Sequence, residues 1–314
     1  MRTIGKSISF VFACSLSFAC SLALCAQTVP SRIIVTTGHY YGHEPPLLTA
    51  NDLTVTQNDH PLTITSLTPL RGDHAALELF VLVDNCSTCE AGSQFVELSD
   101  FIAAQPQTTS VGLAYILNGQ LQVAVNPTPD HTRATKALSL PEGGKPSSPY
   151  GALADLIKGW PQGSPRRAVL MISTGLDPAA ADPMSPSKSA DAAVEAAQRA
   201  GVTVFAIYHP TADYLTTDFS KILAGQDQLA HVAAESGGEA YFLTPGPLLS
   251  LSPFLADINE HLANQYLLQF RADRGTSADE LEEIQVKTKT ASNLDLMTPS
   301  KAFVPHTESR TSNK

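Results

Sequence analysis

The sequence predicts an α/β protein with two parts. The larger is a domain with a central mixed, mostly parallel six-stranded sheet covered by helices on both faces. The smaller is a β unit formed by the N- and C-terminal segments. Three observations support this prediction: buried strands alternate with amphipathic helices over residues 76–265, strand patterns without helices occupy residues 27–75 and 266–305, and the 314-residue length suits about 200 residues plus an accessory unit.

The first 26 residues have the pattern of a secretory signal peptide. Arg2 and Lys6 precede an apolar stretch over residues 8–24, and the small residues Cys25 and Ala26 follow. We expect cleavage near Ala26 and a secreted or periplasmic protein. Lipid attachment at Cys20 or Cys25 is the less favoured alternative, because bulky Leu24 directly precedes Cys25. No second long apolar segment follows, so no integral membrane span is expected.

Charge narrows the range of partners. Without residues 1–26, which include Arg2 and Lys6, the chain has 18 basic and 30 acidic residues and a formal charge of −12. Nucleic acid is therefore excluded as a predicted partner, because its recognition depends on basic surfaces.

Short strand patterns at both chain ends predict the β unit. The N-terminal ones cover residues 32–37, 53–56 and 62–65, and Asn58-Asp59 predicts a hairpin between the last two. The C-terminal ones cover residues 266–270, 283–287 and 301–304. We expect the two sets to pack together, because neither could cover its exposed edges alone. The polar residues 306–314 are predicted to be a disordered tail.

The larger domain is predicted element by element. The apolar run over residues 77–83 is a buried strand, and the apolar stripe over residues 90–104 is a helix. Asn118-Gly119 predicts a hairpin between antiparallel strands over residues 111–117 and 121–125. The remaining predictions are helices over residues 150–160, 189–200, 228–236 and 253–264, and strands over residues 167–173, 202–208 and 240–243.

The end of the first buried strand is the candidate functional region. Asp84 is followed by Asn85, Cys86, Ser87, Thr88 and Cys89. Ligands of open α/β sheets bind at the carboxyl ends of strands, so a binding site is predicted here. Oxygen atoms favour a hard cation, whereas thiols favour redox chemistry or softer metals. In an exported protein, a Cys86–Cys89 disulfide is expected, and a Cys-x-x-Cys thiol oxidoreductase is an alternative.

The order and spacing of four stretches resemble the von Willebrand factor A-type (VWA) domain, most closely its secreted bacterial branch. These stretches are residues 79–84, 167–177, 233–242 and 258–268. The resemblance covers residues 76–265, and residues 46–53 resemble the lead-in segment common in that branch. It implies a Rossmann-like fold and a binding role.

The family's metal site uses Asp-x-Ser-x-Ser, a Thr from a second loop and an Asp after the fourth strand. In this chain the resemblance implies a degenerate site. Asp84 and Thr88 keep oxygen ligands, Cys86 replaces a Ser, Ser147 stands for the Thr, and Thr174 replaces the last Asp. The expected metal ligands are thus Asp84, Thr88 and Ser147 at most, with Asp177 as a substitute if its loop reaches back. Without a metal role, Asp84 would be a strand-end carboxylate that accepts N–H bonds.

The sequence therefore predicts a non-enzymatic protein–protein interaction module without a cofactor. Its partner is an unknown protein. Metal-dependent adhesion with magnesium or manganese is the alternative. His39, His43 and Glu44 are interpreted as a solvated loop, and His231 with Glu235 as an i,i+4 surface contact. The predicted binding rim comprises Asp84, Asn85, Cys86, Ser87, Thr88, Ser147, Ser148, Thr174 and Asp177.

Overall fold

The computed structural model describes residues 28–38, 45–84, 92–139, 148–161, 166–177, 187–209, 219–242, 250–274, 280–289 and 294–305. The strands are β1 Thr28–Thr37, β2 Leu53–Gln57, β3 His60–Pro61, β4 Thr63–Pro69, β5 Leu77–Asp84, β6 Thr109–Leu117, β7 Gln120–Thr128, β8 Arg167–Ser173, β9 Val202–Tyr208, β10 Ala240–Phe242, β11 Gln265–Asp273, β12 Glu280–Thr288, β13 Leu296–Met297 and β14 Lys301–Val304. The helices are α1 Gly92–Ala103, α2 His131–Ala137, α3 Pro149–Gly159, α4 Lys188–Ala200, α5 Phe219–Glu235 and α6 Ser252–Ala263.

A six-stranded sheet forms the centre of the larger domain. Its strand order is β10-β9-β8-β5-β6-β7. Every neighbouring pair is parallel except β6 and β7, which are antiparallel. The predicted mixed, mostly parallel six-stranded sheet is confirmed.

Helices cover both faces of this sheet because its central strands are apolar on both sides. All seven residues of β8 and all seven of β9 are buried. The core on one face includes residues of α3, α4 and α5, and the core on the other includes residues of α1, α2 and α6. Such continuous apolar runs are typical of parallel strands covered on both faces.

The Asn118-Gly119 hairpin is also confirmed. Asn118 and Gly119 have φ angles of 52° and 75°. Two successive left-handed residues suit the twist of the flanking strands. They place β7 antiparallel to β6 at the edge of the sheet.

The small β unit combines strands from both chain ends, as the predicted fold class requires. One sheet has the order β13-β1-β11-β4 and the other β14-β12-β2-β3. In the first, β1 pairs with β11 over nine residues, and in the second, β2 pairs with β12. Apolar residues of both sheets form one core cluster. The domain boundaries at residues 75 and 265 stay predictions.

Two predictions about local structure were confirmed only in part. Asn58 and Asp59 do form a turn with positive φ, but it joins β2 to the two-residue β3. The next strand, β4, pairs with β11 in the other sheet, because that pairing covers an edge of β11. Helix α5 begins at Phe219 rather than at residue 228. The sequence did not predict its first turns, which include Gly225, nor the short helix α2.

Arg166 joins the larger domain to the β unit. Its guanidinium donates to the carbonyl oxygens of Leu70 and Ala75, to Oε1 of Gln265, and to the carbonyl oxygen of Leu262. Burial lowers the pKa of Arg166 to about 10. The two units therefore share a buried, hydrogen-bonded cation at the amino ends of β5 and β8. Among the described residues, no helix is long and apolar enough to cross a membrane.

Candidate functional site

The carboxyl ends of β5 and β8 lie side by side. The strands are parallel, with Val83 opposite Ile172, so Asp84 lies next to Ser173. The Ser173 hydroxyl donates to Oδ2 of Asp84 at 2.6 Å and accepts the Gly175 N–H at 3.0 Å. Ser173 thus connects the backbone of the following loop to the Asp84 carboxyl group.

The surroundings of the Asp84 carboxyl group change its pKa. Burial raises its pKa to about 6, although the hydrogen bond from Ser173 acts in the opposite direction. Desolvation disfavours the charged form of a carboxyl group, and one hydroxyl donor offsets only part of that cost. Near pH 6 the group therefore exchanges between its neutral and charged forms.

Tyr150 fixes the position of the loop after β8 by a hydrogen bond. This fully buried residue of α3 donates its hydroxyl hydrogen to the Gly175 carbonyl oxygen at 2.6 Å. Its pKa is raised well above the usual range, first by burial and then by the charges of Asp177 and Asp84. Both carboxylates thus act on the same phenol.

Asp177 belongs to a chain of hydroxyl groups that links three elements. The Ser189 hydroxyl, on α4, donates to Oδ2 of Asp177. Oγ of Ser189 lies 3.1 Å from Oγ of Ser148 and 2.9 Å from Oγ of Ser187. Ser148 precedes α3, and its side chain does not cap that helix. The loop after β8 does reach back to the start of α3.

Two glycines set the shape of the loop that contains Thr174. Gly175 has a φ of +67°, and a Cβ there would lie 2.2 Å from the Gly225 carbonyl oxygen. A Cβ on Gly225 would lie 2.2 Å from the Thr174 carbonyl oxygen. Helix α5 therefore packs backbone to backbone against this loop, which only glycine permits.

The next strand adds a histidine to this edge. His209 directly follows β9, and its backbone N–H donates to the Ser173 carbonyl oxygen at 2.8 Å. A ring nitrogen of His209 lies 2.7 Å from Oε1 of Gln94 on α1, and both residues are buried. The polar edge therefore extends from α3 across β8 to β9.

Four of the predicted rim residues come together here. They are Asp84, Ser148, Thr174 and Asp177, and with Ser173 and Ser189 they define what we call the carboxyl rim. The other predicted rim and disulfide residues, Asn85, Cys86, Ser87, Thr88, Cys89 and Ser147, lie outside the described residues, as do His39, His43 and Glu44.

Sequence reasoning missed several residues of this edge. Ser173, Ser189, Tyr150, Gly225 and His209 all contribute to it. Some signals were present: Ser173 directly precedes Thr174 at a strand end, and Ser187 and Ser189 stand at a helix start. The predicted His231–Glu235 contact was wrong, because His231 Nε2 contacts Oδ1 of Asp191 on α4 at 3.1 Å. Glu235 instead accepts a hydrogen bond from Ser300.

The described rim residues fit a magnesium ion poorly. Asp84 and Asp177 each accept a hydroxyl hydrogen bond, one from Ser173 and the other from Ser189. Thr174 has no carboxylate, and its hydroxyl accepts the Leu176 N–H at 3.4 Å. A hard divalent cation needs several oxygen atoms directed at one point. These oxygen atoms are directed at hydroxyl and amide hydrogens.

No protein-family model matches this sequence, and no curated protein is significantly similar to it. Solved structures similar to it include the PilB minor pilin from Streptococcus sanguinis (D319A mutant), with 12% identity, a TM-score of 0.44, and 60% of this chain covered. The match spans 62% of that pilin chain. The SpRpn10 VWA domain has 16% identity and a TM-score of 0.41, with 58% of this chain and 94% of that chain covered.

The vWF domain of the type V pili tip protein Mfa5 from Porphyromonas gingivalis has 10% identity and a TM-score of 0.43, with 60% of this chain and 94% of that chain covered. The six-stranded mixed sheet, its antiparallel edge strand β7 and the helices on both faces match the fold class predicted from the sequence. The domain built on the six-stranded sheet therefore has the Rossmann-like fold that the resemblance to VWA domains implies.

Proposed function

We propose that this protein is an exported, non-enzymatic protein–protein interaction module that binds its partner at the carboxyl rim. The observation that carries the proposal is that the half-buried Asp84 and Ser148 lie at one edge of the sheet, beside the buried Thr174 and Asp177. Polar groups from β5, α3 and the loop after β8 meet there. This edge is where open α/β sheets bind their ligands.

The described rim chemistry favours binding over catalysis. Ser173 is only 2% exposed, so its hydroxyl is inaccessible to a substrate. The imidazole of His209 contacts the Gln94 amide. Nucleophilic catalysis needs an accessible nucleophile within hydrogen-bond reach of a base. Ser148 and Ser189 are hydrogen-bonded to one another, and the Ser189 hydroxyl also contacts the Asp177 carboxylate.

We further propose that the rim binds its partner without a metal ion, because the described oxygen atoms are already engaged with hydroxyl and amide donors. One observation favours the alternative of magnesium- or manganese-dependent adhesion. Asp84 and Asp177 are two carboxylates close enough to Tyr150 to raise its pKa. A cation would offset the burial cost of Asp84.

Site-specific photocrosslinking tests the binding role. A photoreactive residue at Ser148 places the crosslinker on the rim, and one at Gln107, which is exposed just before β6, places it at the opposite edge of the same sheet. Each variant is expressed in its native host, irradiated in the intact envelope, and purified under denaturing conditions. We expect one discrete protein adduct from Ser148 and none from Gln107.

The same experiment separates the alternatives. Adducts of equal yield from both positions, or none from Ser148, would contradict binding at the rim. Repeating the irradiation with EDTA and with millimolar magnesium tests the metal: we expect an unchanged yield. A yield that EDTA abolishes and magnesium restores would establish metal-dependent adhesion instead.

Export is part of the proposal and has its own measurement. Cell fractionation followed by N-terminal sequencing should place the protein outside the cytoplasm and begin it near Gln27. A lipid-modified N-terminal Cys25 would establish the lipoprotein alternative.

A further inference from the structure

A second cluster of polar side chains lies away from the carboxyl rim, between β10 and α6. We call Glu239, Tyr241, Asp257 and His261 the α6–β10 cluster. Its metal-binding atoms, one each from Glu239, Asp257 and His261, all lie within 4.8 Å of one another. Nδ1 of His261 is 3.7 Å from Oε2 of Glu239 and 3.6 Å from Oδ2 of Asp257.

The Tyr241 hydroxyl reaches the same point. Its oxygen lies 2.7 Å from Oδ2 of Asp257, 3.0 Å from Nδ1 of His261 and 3.5 Å from Oε2 of Glu239. Four potential ligand atoms therefore converge. At the carboxyl rim each carboxylate accepts from a different hydroxyl, whereas here both carboxylates accept from the same one, that of Tyr241.

Regular secondary structure places all four side chains. Asp257 and His261 are four residues apart on α6 and therefore share one face of the helix. Glu239 directly precedes β10, and its carbonyl oxygen already accepts the Ala206 N–H of β9, so it points to the same side as Tyr241, two residues further on. The cluster thus depends on two elements that pack against each other.

Neighbouring aromatic rings fix the orientation of the two central side chains. The His261 imidazole stacks on Phe205 with ring centroids 6.1 Å apart and an interplanar angle of 5°. The Tyr241 ring packs on Phe254 at 5.4 Å. His261 and Tyr241 are both buried, whereas Glu239 has a side chain that is 46% exposed. The ring contacts fix His261 and Tyr241 inside the protein, and an ion could reach the cluster from solvent beside Glu239.

We infer that Glu239, Asp257 and His261 bind one divalent transition-metal ion, for which zinc fits best, with the Tyr241 oxygen in the fourth position. Zinc bonds to nitrogen and carboxylate oxygen atoms are about 2.0–2.2 Å long, which puts tetrahedral ligand atoms about 3.3–3.6 Å apart. The separations of 3.6 and 3.7 Å lie at or just above the upper end of this range. The Tyr241 oxygen lies closer, at 2.7 Å from Asp257 and 3.0 Å from His261, so it must move outward for an ion to enter.

The chemistry of the ligands also favours this class of ion. Two carboxylates supply two negative charges, which a divalent cation neutralises. An imidazole nitrogen selects zinc and related transition metals over magnesium or calcium, which prefer oxygen atoms alone. The ion would connect α6 to β10, an edge strand of only three residues, so its role is structural.

The test uses the mature, tag-free protein after treatment with a chelator. Zinc is titrated by calorimetry, and cobalt(II) is added as a spectroscopic substitute because its visible absorption reports coordination number. We expect one equivalent of each ion and the intense visible bands of four-coordinate cobalt. Glu239→Gln and Asp257→Asn should each lower the affinity at least tenfold, with unchanged far-UV circular dichroism.

Two matched variants locate the bound ion. Glu260→Gln removes an exposed carboxylate from the same helix outside the cluster, and Asp84→Asn removes the carboxylate of the rim. Both should bind zinc as the wild type does. The inference is overturned if neither zinc nor cobalt binds at millimolar concentration, if both cluster variants retain wild-type affinity, or if Asp84→Asn abolishes binding. Because the titration does not involve the partner, its failure would leave the proposed interaction role untouched.

Discussion

The carboxyl rim and the α6–β10 cluster both contain two carboxylates, but they distribute them differently. At the rim, Asp84 accepts from Ser173 and Asp177 accepts from Ser189, two hydroxyls on different elements. In the cluster, Asp257 and Glu239 approach the same imidazole and the same phenol. The comparison shows that the direction of the ligand atoms, rather than the number of carboxylates, separates a hydrogen-bonded binding surface from a candidate ion site.

Gly225→Ala is expected to have the largest effect on stability, and it should disturb the rim without disturbing the α6–β10 cluster. The added methyl group would meet the Thr174 carbonyl oxygen, a backbone atom that cannot rotate away. We expect a loss of about 3 kcal/mol in the free energy of unfolding, measured by urea denaturation.

Gly151→Ala is the matched control for that substitution. Gly151 is an exposed residue of α3, and nothing lies within 4 Å of a Cβ built there. Because alanine is the better helix former, this variant should gain about 0.5–1 kcal/mol. Equal effects of the two substitutions would mean that the close approach of α5 to the Thr174 loop is unimportant.

Asp84→Asn is expected to stabilise the protein in a pH-dependent manner. The pKa of Asp84 is about 6 in the folded state and near 3.8 when the chain is unfolded. Above pH 6 the carboxyl group is charged in both states, and the folded state bears the full cost of burying that charge. As the pH falls toward 4, the folded state takes up its proton first and the cost disappears.

We therefore expect the asparagine variant to be more stable than the wild type by about 2 kcal/mol at pH 8. The difference should shrink to near zero at pH 4, as measured by denaturation in EDTA. A variant that is less stable than the wild type at pH 8 would show that the Asp84 charge is favourable in the folded protein.

The next smaller effect is expected from reduction of the cysteine pair that follows Asp84 in the sequence. The predicted Cys86–Cys89 bridge would close a loop of only four residues. Its reduction should cost about 2 kcal/mol at most, because closing a short loop removes little chain entropy. Mass spectrometry after alkylation, with and without reductant, should show two modified thiols only after reduction.

An activity measurement separates this structural bridge from a redox role. We expect no insulin-reduction activity above background, with Cys86→Ser as the comparison. Activity that the serine variant abolishes would establish the thiol oxidoreductase alternative.

Ser189→Ala should have the smallest effect of the series. The substitution removes the hydroxyl that connects Asp177 to Ser148. One partly buried hydrogen-bond group contributes about 1 kcal/mol, so we expect a loss of that size by chemical denaturation. Zinc affinity should stay unchanged. A parallel fall in zinc affinity would mean that the rim and the cluster are coupled, contrary to the comparison.

Much of the fold could be predicted, because the spacing of apolar residues along the sequence indicates where strands and helices form. Local sequence patterns alone predict the buried strands β5, β8 and β9 and the Asn118-Gly119 turn. The packing of the N-terminal strands with the C-terminal ones could also be predicted, because neither set covers its exposed edges alone. The pairing of β4 with β11, in the sheet that does not contain β2 and β3, could not be predicted. It depends on which edge of β11 is left open.

The site was less predictable than the fold. Asp84 and Thr174 could be placed at strand ends, but the Ser173–Asp84 bond depends on the register between β5 and β8. For the cluster, the four-residue spacing of Asp257 and His261 is visible in the sequence. Their encounter with Glu239 and Tyr241 depends on how α6 crosses β10, and no local pattern encodes that crossing.

The position of Arg166 has a mechanical consequence. Its bonds to Leu70, Ala75 and Gln265 tie the β unit to the amino ends of β5 and β8, whereas the carboxyl rim lies at their opposite ends. A partner held at the rim and a tether at the β unit would pull along the length of the central strands. The buried guanidinium would then share the load with the two backbone connections between the units, which precede β5 and β11.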